Sequence, residues 1–186
     1  DLAARLDELF PGKEPRITIF TNTGTETVEC ALKHAEFNRV QKLMALGKRI
    51  YRNCNEIREY YRLHHDARLP RSYHELDIDT LLGDIMGQLV WLRELHPVVL
   101  AAERSFHGKT TGSVRITGNP AYREAFALLS GIDVHFVKFN DGEDLRKAVE
   151  KAYVSVKFLE HKNGAIRITE EKFLNVAAFI MEPVQG

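Results

Sequence analysis

Four short apolar runs, separated by longer segments with helical spacing, constrain the fold of this chain most. The runs are residues 16–21, 98–102, 133–139 and 176–181. Short apolar runs are typical of strands buried on both faces, and helices between such strands act as the crossovers that parallel pairing requires. The pattern therefore predicts an α/β fold with a mostly parallel sheet flanked by helices.

The segments between these runs carry apolar residues at three- and four-residue steps, which is the spacing of amphipathic helices. Gly47 predicts the end of the longest helix, because glycine weakens a helix interior. The pair Asn163-Gly164 predicts a tight turn. The predicted helices cover residues 1–9, 25–46, 48–65, 77–95, 121–129 and 142–158.

The charge balance and the cysteines limit the class of protein. The chain carries 26 basic and 26 acidic residues, so nothing favours nucleic acid or an anionic membrane as the main partner. No apolar run is long enough to span a bilayer. Cys30 and Cys54 both lie inside helical patterns, which predicts reduced, packed thiols in a cytoplasmic protein.

Loops rich in glycine and polar residues follow three of the predicted strands. These loops are residues 21–25, 105–108 and 182–186. Ligands of parallel sheets bind at the carboxyl ends of the strands, so we expect the three loops to meet at one edge of the sheet. The acid Glu182, directly after a buried strand, favours a role in a site over a role in packing.

The first of these loops, Thr23-Gly24-Thr25-Glu26, opens a predicted helix. The unpaired backbone N–H groups and the positive dipole end of such a helix favour a phosphate. Threonine and glutamate at these positions are also typical of an ordinary helix N-cap that binds no ligand. Both interpretations stay open on this segment alone.

Taken together, the three loops resemble the class III (ω-type) aminotransferases, which are fold-type I enzymes that use pyridoxal phosphate. The family's phosphate-cup segment and following helix resemble TNTGTETVECALK at residues 21–33. Its cofactor-stacking loop and the sequel resemble ERSFHGKT at 103–110 and TGNPAYR at 117–123, and the segment before its cofactor aspartate resembles FIMEPVQG at 179–186. The resemblance implies that residues 1–186 form an incomplete pyridoxal phosphate-binding large domain.

The resemblance implies a cofactor-binding role for seven residues. The backbone N–H groups of Gly24 and Thr25 and the hydroxyls of Thr23 and Thr25 would hold the phosphate. Phe106 would stack on the pyridine ring, since an aromatic face matches a flat conjugated ligand; the alternative is a core aromatic. The seven residues are Thr23, Gly24, Thr25, Phe106, His107, Gly108 and Glu182.

Several of these residues have a plainer alternative. Gly108 would let the backbone approach the cofactor, although a simple turn glycine looks the same. Glu182 would lie near the ring and pair with an arginine outside this chain, or else it is a solvated loop carboxylate. Glu29 matches a helix acid of the family and is equally consistent with a surface charge. The family requires no general-base role of His107.

The reaction implied by the resemblance is transfer of an amino group between an amine or ω-amino acid and a 2-oxo acid or aldehyde. It needs a lysine that bonds to the cofactor and moves a proton, and an acid at the pyridine nitrogen. In the family both follow the point where this sequence stops, and Lys109 and Lys138 lie in the wrong context to replace the lysine. We therefore expect part of a longer, homodimeric enzyme, with no catalytic residue within 1–186.

Residues 39–92 predict a helical insertion, because in the family the phosphate-cup helix is soon followed by the strand before the stacking loop. The insertion would cover a dimer edge, or it would be a docking surface for a carrier or partner protein. The rival hypothesis for the whole chain is a non-catalytic interaction protein that keeps the aminotransferase fold as a scaffold. A third is another phosphate-binding α/β enzyme.

Three histidines, His64, His65 and His74, raise the question of a metal site. Their surroundings are polar helix ends, and no acid or cysteine at ligand spacing completes a site. We therefore predict surface histidines and no metal.

Overall fold

The chain folds into a parallel sheet with flanking helices and a separate antiparallel hairpin. The computed structural model describes residues 2–9, 14, 16–128 and 131–184. In this part of the chain the helices are α1 (Leu2–Leu9), α2 (Gly24–Leu63), α3 (Ile78–Glu94), α4 (Thr111–Ile116), α5 (Pro120–Arg123) and α6 (Gly142–Lys151). The strands are β1 (Val98–Ala102), β2 (Asp133–Val137), β3 (Tyr153–Lys162), β4 (Ala165–Leu174) and β5 (Val176–Ile180). Short 3-10 helices cover Arg71–Tyr73 and Glu124–Phe126.

The strand β1 is the centre of a three-stranded sheet with the order β2-β1-β5, and it pairs in parallel with both neighbours. Side chains alternate between the two faces of a strand. Val99 and Ala101 accordingly pack in one cluster with Leu32 of α2, whereas Leu100 packs in another with Ala148 of α6. Helices therefore cover both faces, and the predicted α/β fold with a mostly parallel sheet is confirmed.

Helix α2 runs without a break for 40 residues, which corresponds to a length of about 60 Å. The predicted helix end at Gly47 is wrong. A glycine in a helix interior costs about 1 kcal/mol relative to alanine. The packing of Ile50, Cys54 and Ile57 against other elements outweighs that cost, since all three are buried in a shared core.

A second hydrophobic core joins the C-terminal half of α2, helix α3 and the β3–β4 hairpin. The helices predicted for 48–65 and 77–95 are thus present and packed against each other. The buried side chains of this core are Ile50, Cys54, Ile57, Leu81, Leu82, Ile85, Leu92, Val156, Phe158, Leu159 and Ile166.

The hairpin corrects another helix prediction. The helix expected over 142–158 ends at Lys151, and β3 follows it. Val154, Val156 and Phe158 contact the second core at a period of two, which is strand spacing. The turn predicted at Asn163-Gly164 is confirmed: the two residues have φ values of 52° and 67°, as two-residue hairpin turns of this type require.

Residues 16–21 are not a strand, so that prediction is wrong. Ile17 is 91% exposed, and none of the strands in the described ranges pairs with this segment. An apolar β-branched run forms a strand only where its backbone N–H and C=O groups meet a ladder partner.

The segment between β1 and β2 also differs from prediction. The helix expected over 121–129 is replaced by α5 and a 3-10 helix, and Leu129 lies outside the described residues. Helix α4, which begins at Thr111, was not predicted. The strands expected over 133–139 and 176–181 are confirmed in shorter form.

The two cores are joined by a buried polar junction around Arg39, whose exposed fraction is only 4%. Its guanidinium Nε donates to Asn175 Oδ1 at 3.0 Å and a second nitrogen donates to the carbonyl of Leu95. Asn175 in turn donates to the carbonyl of His96 at 2.7 Å. Arg39 thereby connects α2 with the α3–β1 link and with the residue between β4 and β5.

Candidate cofactor site

Three loops meet at the carboxyl edge of the parallel sheet, as the sequence predicts. The backbone N–H of Phe106, after β1, donates to Glu182 Oε2, after β5, at 3.1 Å. A Cβ placed on Gly108 would overlap the Thr25 hydroxyl and lie 2.6 Å from Thr25 Cβ. The loop after β1 therefore touches both the start of α2 and the loop after β5.

The start of α2 carries a complete N-cap. Thr23 Oγ1 accepts from the backbone N–H of Glu26 at 3.3 Å, and Glu26 Oε2 accepts from the N–H groups of Asn22 and Thr23 at 2.8 and 3.1 Å. This reciprocal arrangement is a capping box. The helix start is therefore capped, and the cap uses the Thr23 hydroxyl, one of the groups expected to hold the phosphate, but not the N–H groups of Gly24 and Thr25.

Gly24 and Thr25 lie between the capped positions, in the first turn of α2. A helix supplies no carbonyl partner for N–H groups at that point. A Cβ on Gly24 would meet nothing within 4 Å, so there is open space beside this turn. The N–H groups, the helix dipole and the open space together fit an anion such as a phosphate.

The hydroxyl of Thr25 points to α4. Its Oγ1 lies 2.7 Å from Ser113 Oγ and 3.0 Å from Thr110 Oγ1, and the latter two oxygens are 2.8 Å apart. The three hydroxyls form a hydrogen-bonded cluster between α2 and α4. Sequence reasoning missed Thr110 and Ser113 because α4 itself was not predicted.

Glu29 belongs to the same contact and is not a free surface charge. Its Oε1 accepts from Thr110 Oγ1 at 2.5 Å and from the N–H groups of Gly112 and Ser113 at 2.7 and 3.1 Å. Partial burial raises the pKa of Glu29, but these hydrogen bonds, assisted by the charge of Lys33, bring the pKa below its ordinary value. Glu29 is therefore a carboxylate at neutral pH.

Phe106 is 47% exposed, so the alternative of a core aromatic is wrong. Its ring meets Tyr122 edge to face, with centroids 5.5 Å apart and planes at 69°. Lys109 Nζ lies 5.0 Å from the centroid of the Tyr122 ring. An exposed aromatic face at the end of a buried strand is available to a flat ligand.

His107, the next residue along the chain, is only 8% exposed. Its backbone N–H donates to Thr117 Oγ1 at 3.0 Å, and Thr117 Oγ1 lies 3.1 Å from the carbonyl of Gly108. Among the described residues its Nε2 has no hydrogen-bond partner. Burial lowers the pKa of His107 while the charge of Glu182 opposes that shift, so the imidazole is neutral at pH 7.

Comparison with known proteins supports the resemblance to the class III aminotransferases. The family model described as Aminotransferase class-III matches residues 1–186. Acetylornithine aminotransferase of Streptomyces clavuligerus is 38% identical over 86 residues, which is 45% of this chain and 21% of that protein. The [LysW]-aminoadipate semialdehyde/glutamate semialdehyde transaminase of Sulfolobus acidocaldarius is 42% identical over 69 residues, covering 37% of this chain and 18% of that protein.

A third relative is the putrescine aminotransferase of Pectobacterium atrosepticum, which is 36% identical over 88 residues and covers 47% of this chain and 15% of that protein. The matched part of the chain spans about a fifth of the length of the first relatives. The chain belongs to the class-III aminotransferase family, whose members use pyridoxal phosphate. The resemblance inferred from the three loops is thus confirmed.

Two further features, a metal-binding group and a membrane-spanning helix, are absent from the described residues. No group of three or more His, Cys, Asp or Glu side chains there has the placement to hold a metal ion. His64 instead stacks on Tyr60 with ring centroids 4.3 Å apart, and His161 stacks on Tyr60 at 4.0 Å. Among the helices described, none has both the length and the apolarity to cross a membrane.

Proposed function

We propose that the protein containing this chain transfers an amino group between an amine or ω-amino acid and a 2-oxo acid or aldehyde, with pyridoxal phosphate as cofactor. The observation that carries the proposal is the meeting of the α2 start, the loop after β1 and Glu182 at one sheet edge. A scaffold protein would not need an open turn and an exposed aromatic at the same edge.

The seven predicted residues take distinct roles in this proposal. The N–H groups of Gly24 and Thr25 bind the phosphate, with the hydroxyl of Thr23 at the edge of the turn and that of Thr25 bracing the neighbouring loop. Phe106 stacks on the cofactor ring, and Gly108 lets the loop backbone reach Thr25. His107, the residue after Phe106, is buried and supports the loop through the hydrogen bond from its backbone N–H to Thr117 Oγ1.

Glu182 is placed beside this loop through its bond to the N–H of Phe106. We propose that it lies near the cofactor ring and pairs with an arginine beyond residues 1–186. When bound, the cofactor supplies the electron sink for bond breaking at the amino-bearing carbon. The lysine that bonds to the cofactor and the acid at its ring nitrogen are proposed to lie beyond the same residues.

The donor class is proposed from the relatives. They are named as acetylornithine, putrescine and aminoadipate semialdehyde/glutamate semialdehyde transaminases. These names favour an amine or ω-amino acid as donor and a 2-oxo acid or aldehyde as acceptor.

We further propose a cytoplasmic homodimer in which residues 1–186 are part of the cofactor-binding large domain. The free thiols of Cys30 and Cys54 support a reducing compartment. The insertion at 39–92 would cover a dimer edge, since Met44 and Tyr51 are 54% and 59% exposed on α2. A docking surface for a carrier protein is the second candidate for this insertion, and the mass of the full-length protein by light scattering tests the dimer.

The test of the function uses the purified full-length protein. We expect it to acquire the visible absorption band of bound pyridoxal phosphate, to lose that band on borohydride treatment, and to transfer the amino group of acetylornithine or putrescine to an acceptor from a panel of 2-oxo acids and aldehydes. Absence of both the band and the transfer would support the rival hypothesis, a non-catalytic scaffold that binds partners through residues 39–92.

A further inference from the structure

Glu29 occupies a particular place relative to the phosphate-binding turn. It follows Thr25 by four residues on α2, so the two side chains lie on the same face of the helix. Both contact the start of α4: Thr25 through the hydroxyls of Thr110 and Ser113, and Glu29 through Thr110 and two backbone N–H groups.

A single carboxylate oxygen accepts all of these bonds. Glu29 Oε1 takes the Thr110 hydroxyl and the N–H groups of Gly112 and Ser113. Only an acceptor oxygen with free lone pairs satisfies several donors at once. Among the described residues Glu29 forms no ion pair within 4.0 Å, so this carboxylate is committed to the segment 110–113.

The backbone of that segment is shaped to receive the carboxylate. A Cβ placed on Gly112 would overlap Glu29 Oε2 and lie 3.0 Å from Glu29 Cδ. Gly108 makes an equally close approach to Thr25 and has a φ of 115°, which non-glycine residues rarely adopt. The stretch from 108 to 113 is thus held against α2 at both of its ends.

We propose that Glu29 is a positioning residue of the cofactor site, which fixes the loop carrying Phe106 over the start of α2 by holding residues 110–113. Phe106 lies four residues before Thr110, so a displacement of that segment moves the aromatic ring relative to the N–H groups of Gly24 and Thr25. The inference rests on the proposed cofactor binding. In this role Glu29 does not touch the cofactor. It keeps Phe106 at a fixed position relative to the N–H groups of Gly24 and Thr25.

The test compares Glu29→Ala and Glu29→Gln with the matched control Glu56→Ala in the full-length protein. Glu56 lies on the same helix, is exposed and forms no ion pair among the described residues. We expect Glu29→Ala to raise the Kd for pyridoxal phosphate about 10-fold or more, as losses of supporting contacts commonly do, and Glu29→Gln to raise it less. Glu56→Ala is expected to leave the Kd within about twofold.

Hydrogen exchange of the apo-protein gives a readout that does not depend on the cofactor. We expect the amides of Gly112 and Ser113 to exchange faster in Glu29→Ala than in wild type, with no change in Glu56→Ala. If wild type fails to bind pyridoxal phosphate, the proposed function fails. If wild type binds pyridoxal phosphate and Glu29→Ala binds it as tightly as Glu56→Ala does, only the positioning role is overturned.

Gly112→Ala keeps the inference testable if Glu29→Ala does not fold. Its Cβ would displace the Glu29 carboxylate, so we expect this variant to weaken cofactor binding in the wild-type background. In the Glu29→Gln background the same Cβ displaces an already weakened contact, so the further loss of affinity for pyridoxal phosphate should be smaller. Equal losses in both backgrounds would contradict the proposal.

Discussion

At the scale of single residues, the contact between Gly108 and Thr25 decides how closely two loops approach. The backbone of Gly108 touches the side chain of Thr25, which is itself held by Thr110 and Ser113. The same loop carries Phe106, which is 47% exposed. Gly108 and the hydroxyl cluster thus bring the loop that carries Phe106 into contact with the first turn of α2.

Replacing Gly108 with alanine tests this contact. The new Cβ would overlap Thr25, and the φ of 115° is unfavourable for alanine, so we expect a loss of at least about 2 kcal/mol in the free energy of unfolding. Gly83→Ala is the control: a Cβ there meets nothing within 4 Å in α3, and a gain of up to about 1 kcal/mol is expected. Urea denaturation compares the two, and a neutral Gly108→Ala would contradict the contact.

The carboxyl of Glu29 should make stability depend on pH in a defined direction. Its folded pKa lies below the ordinary 4.5 because the hydrogen bonds from α4 outweigh burial. A depressed pKa contributes stability that is fully present above the unfolded pKa and is lost as pH falls through the folded pKa. We expect the difference in unfolding free energy between wild type and Glu29→Gln to be largest near pH 7 and to shrink below about pH 4.5.

The comparison of wild type with Glu29→Gln at acid pH has one outcome that would contradict this prediction. Other carboxylates titrate in the same range, so the difference between the two proteins is the quantity to follow rather than the stability of either. A difference that stays constant from pH 7 into the acid range would mean that the charge of Glu29 is not what holds α4.

At the scale of elements, the long helix α2 joins the two cores. Its first half packs on the parallel sheet through Leu32, and its second half packs on α3 and the hairpin through Ile50 and Ile57. Arg39 lies between these halves and contacts the α3–β1 link and Asn175. The Arg39 guanidinium therefore adds buried hydrogen bonds at the junction of the cores.

Arg39→Ala is expected to cost on the order of 3 kcal/mol, because buried hydrogen-bond partners of a charged group are left without a donor. Arg52→Ala on the same helix is the control, since Arg52 is exposed and surface substitutions usually change stability by about 0.5 kcal/mol or less. Chemical denaturation measures both. Similar losses in the two variants would show that the junction contributes nothing beyond a surface arginine.

Gly47 offers a test of the continuity of α2. A Cβ there would lie 3.6 Å from Leu89 Cδ2, an ordinary van der Waals distance, so alanine fits. We expect Gly47→Ala to raise the midpoint of thermal unfolding, with a gain of about 0.5–1 kcal/mol from helix propensity. Gly87→Ala, whose Cβ would meet nothing within 4 Å, should gain a similar amount. A loss of stability in Gly47→Ala but not in Gly87→Ala would indicate a hinge at position 47.

At the scale of the whole molecule, sequence patterns predict best where local and tertiary preferences agree. The runs at 98–102 and 176–181 are apolar throughout, and β1 and β5 pair in parallel there as predicted. The run at 16–21 also holds residues that favour strands, yet no described strand pairs with it, and pairing is a tertiary event that composition does not encode.

The first strand of the β3–β4 hairpin and helix α4 could not be predicted from the sequence, for related reasons. Residues 153–158 follow directly on α6 with no glycine or proline between, so the change from helical to strand spacing carries no local marker. Helix α4 is six residues long, too short for a periodic signal, and it is held by Glu29 from a helix more than eighty residues earlier. Four of the candidate site residues, Phe106, His107, Gly108 and Glu182, follow strands β1 and β5, and the other three lie at the start of α2. All seven could be named from short local motifs, whereas the roles of Glu29, Thr110 and Ser113 depend on contacts between elements.

The position of bound pyridoxal phosphate in a crystal structure of the full-length protein tests the central claim most directly. We expect the phosphate within hydrogen-bonding distance of the backbone N–H groups of Gly24 and Thr25, and the pyridine ring stacked on Phe106. A cofactor whose phosphate lies away from the start of α2, or whose ring does not contact Phe106, would contradict the account.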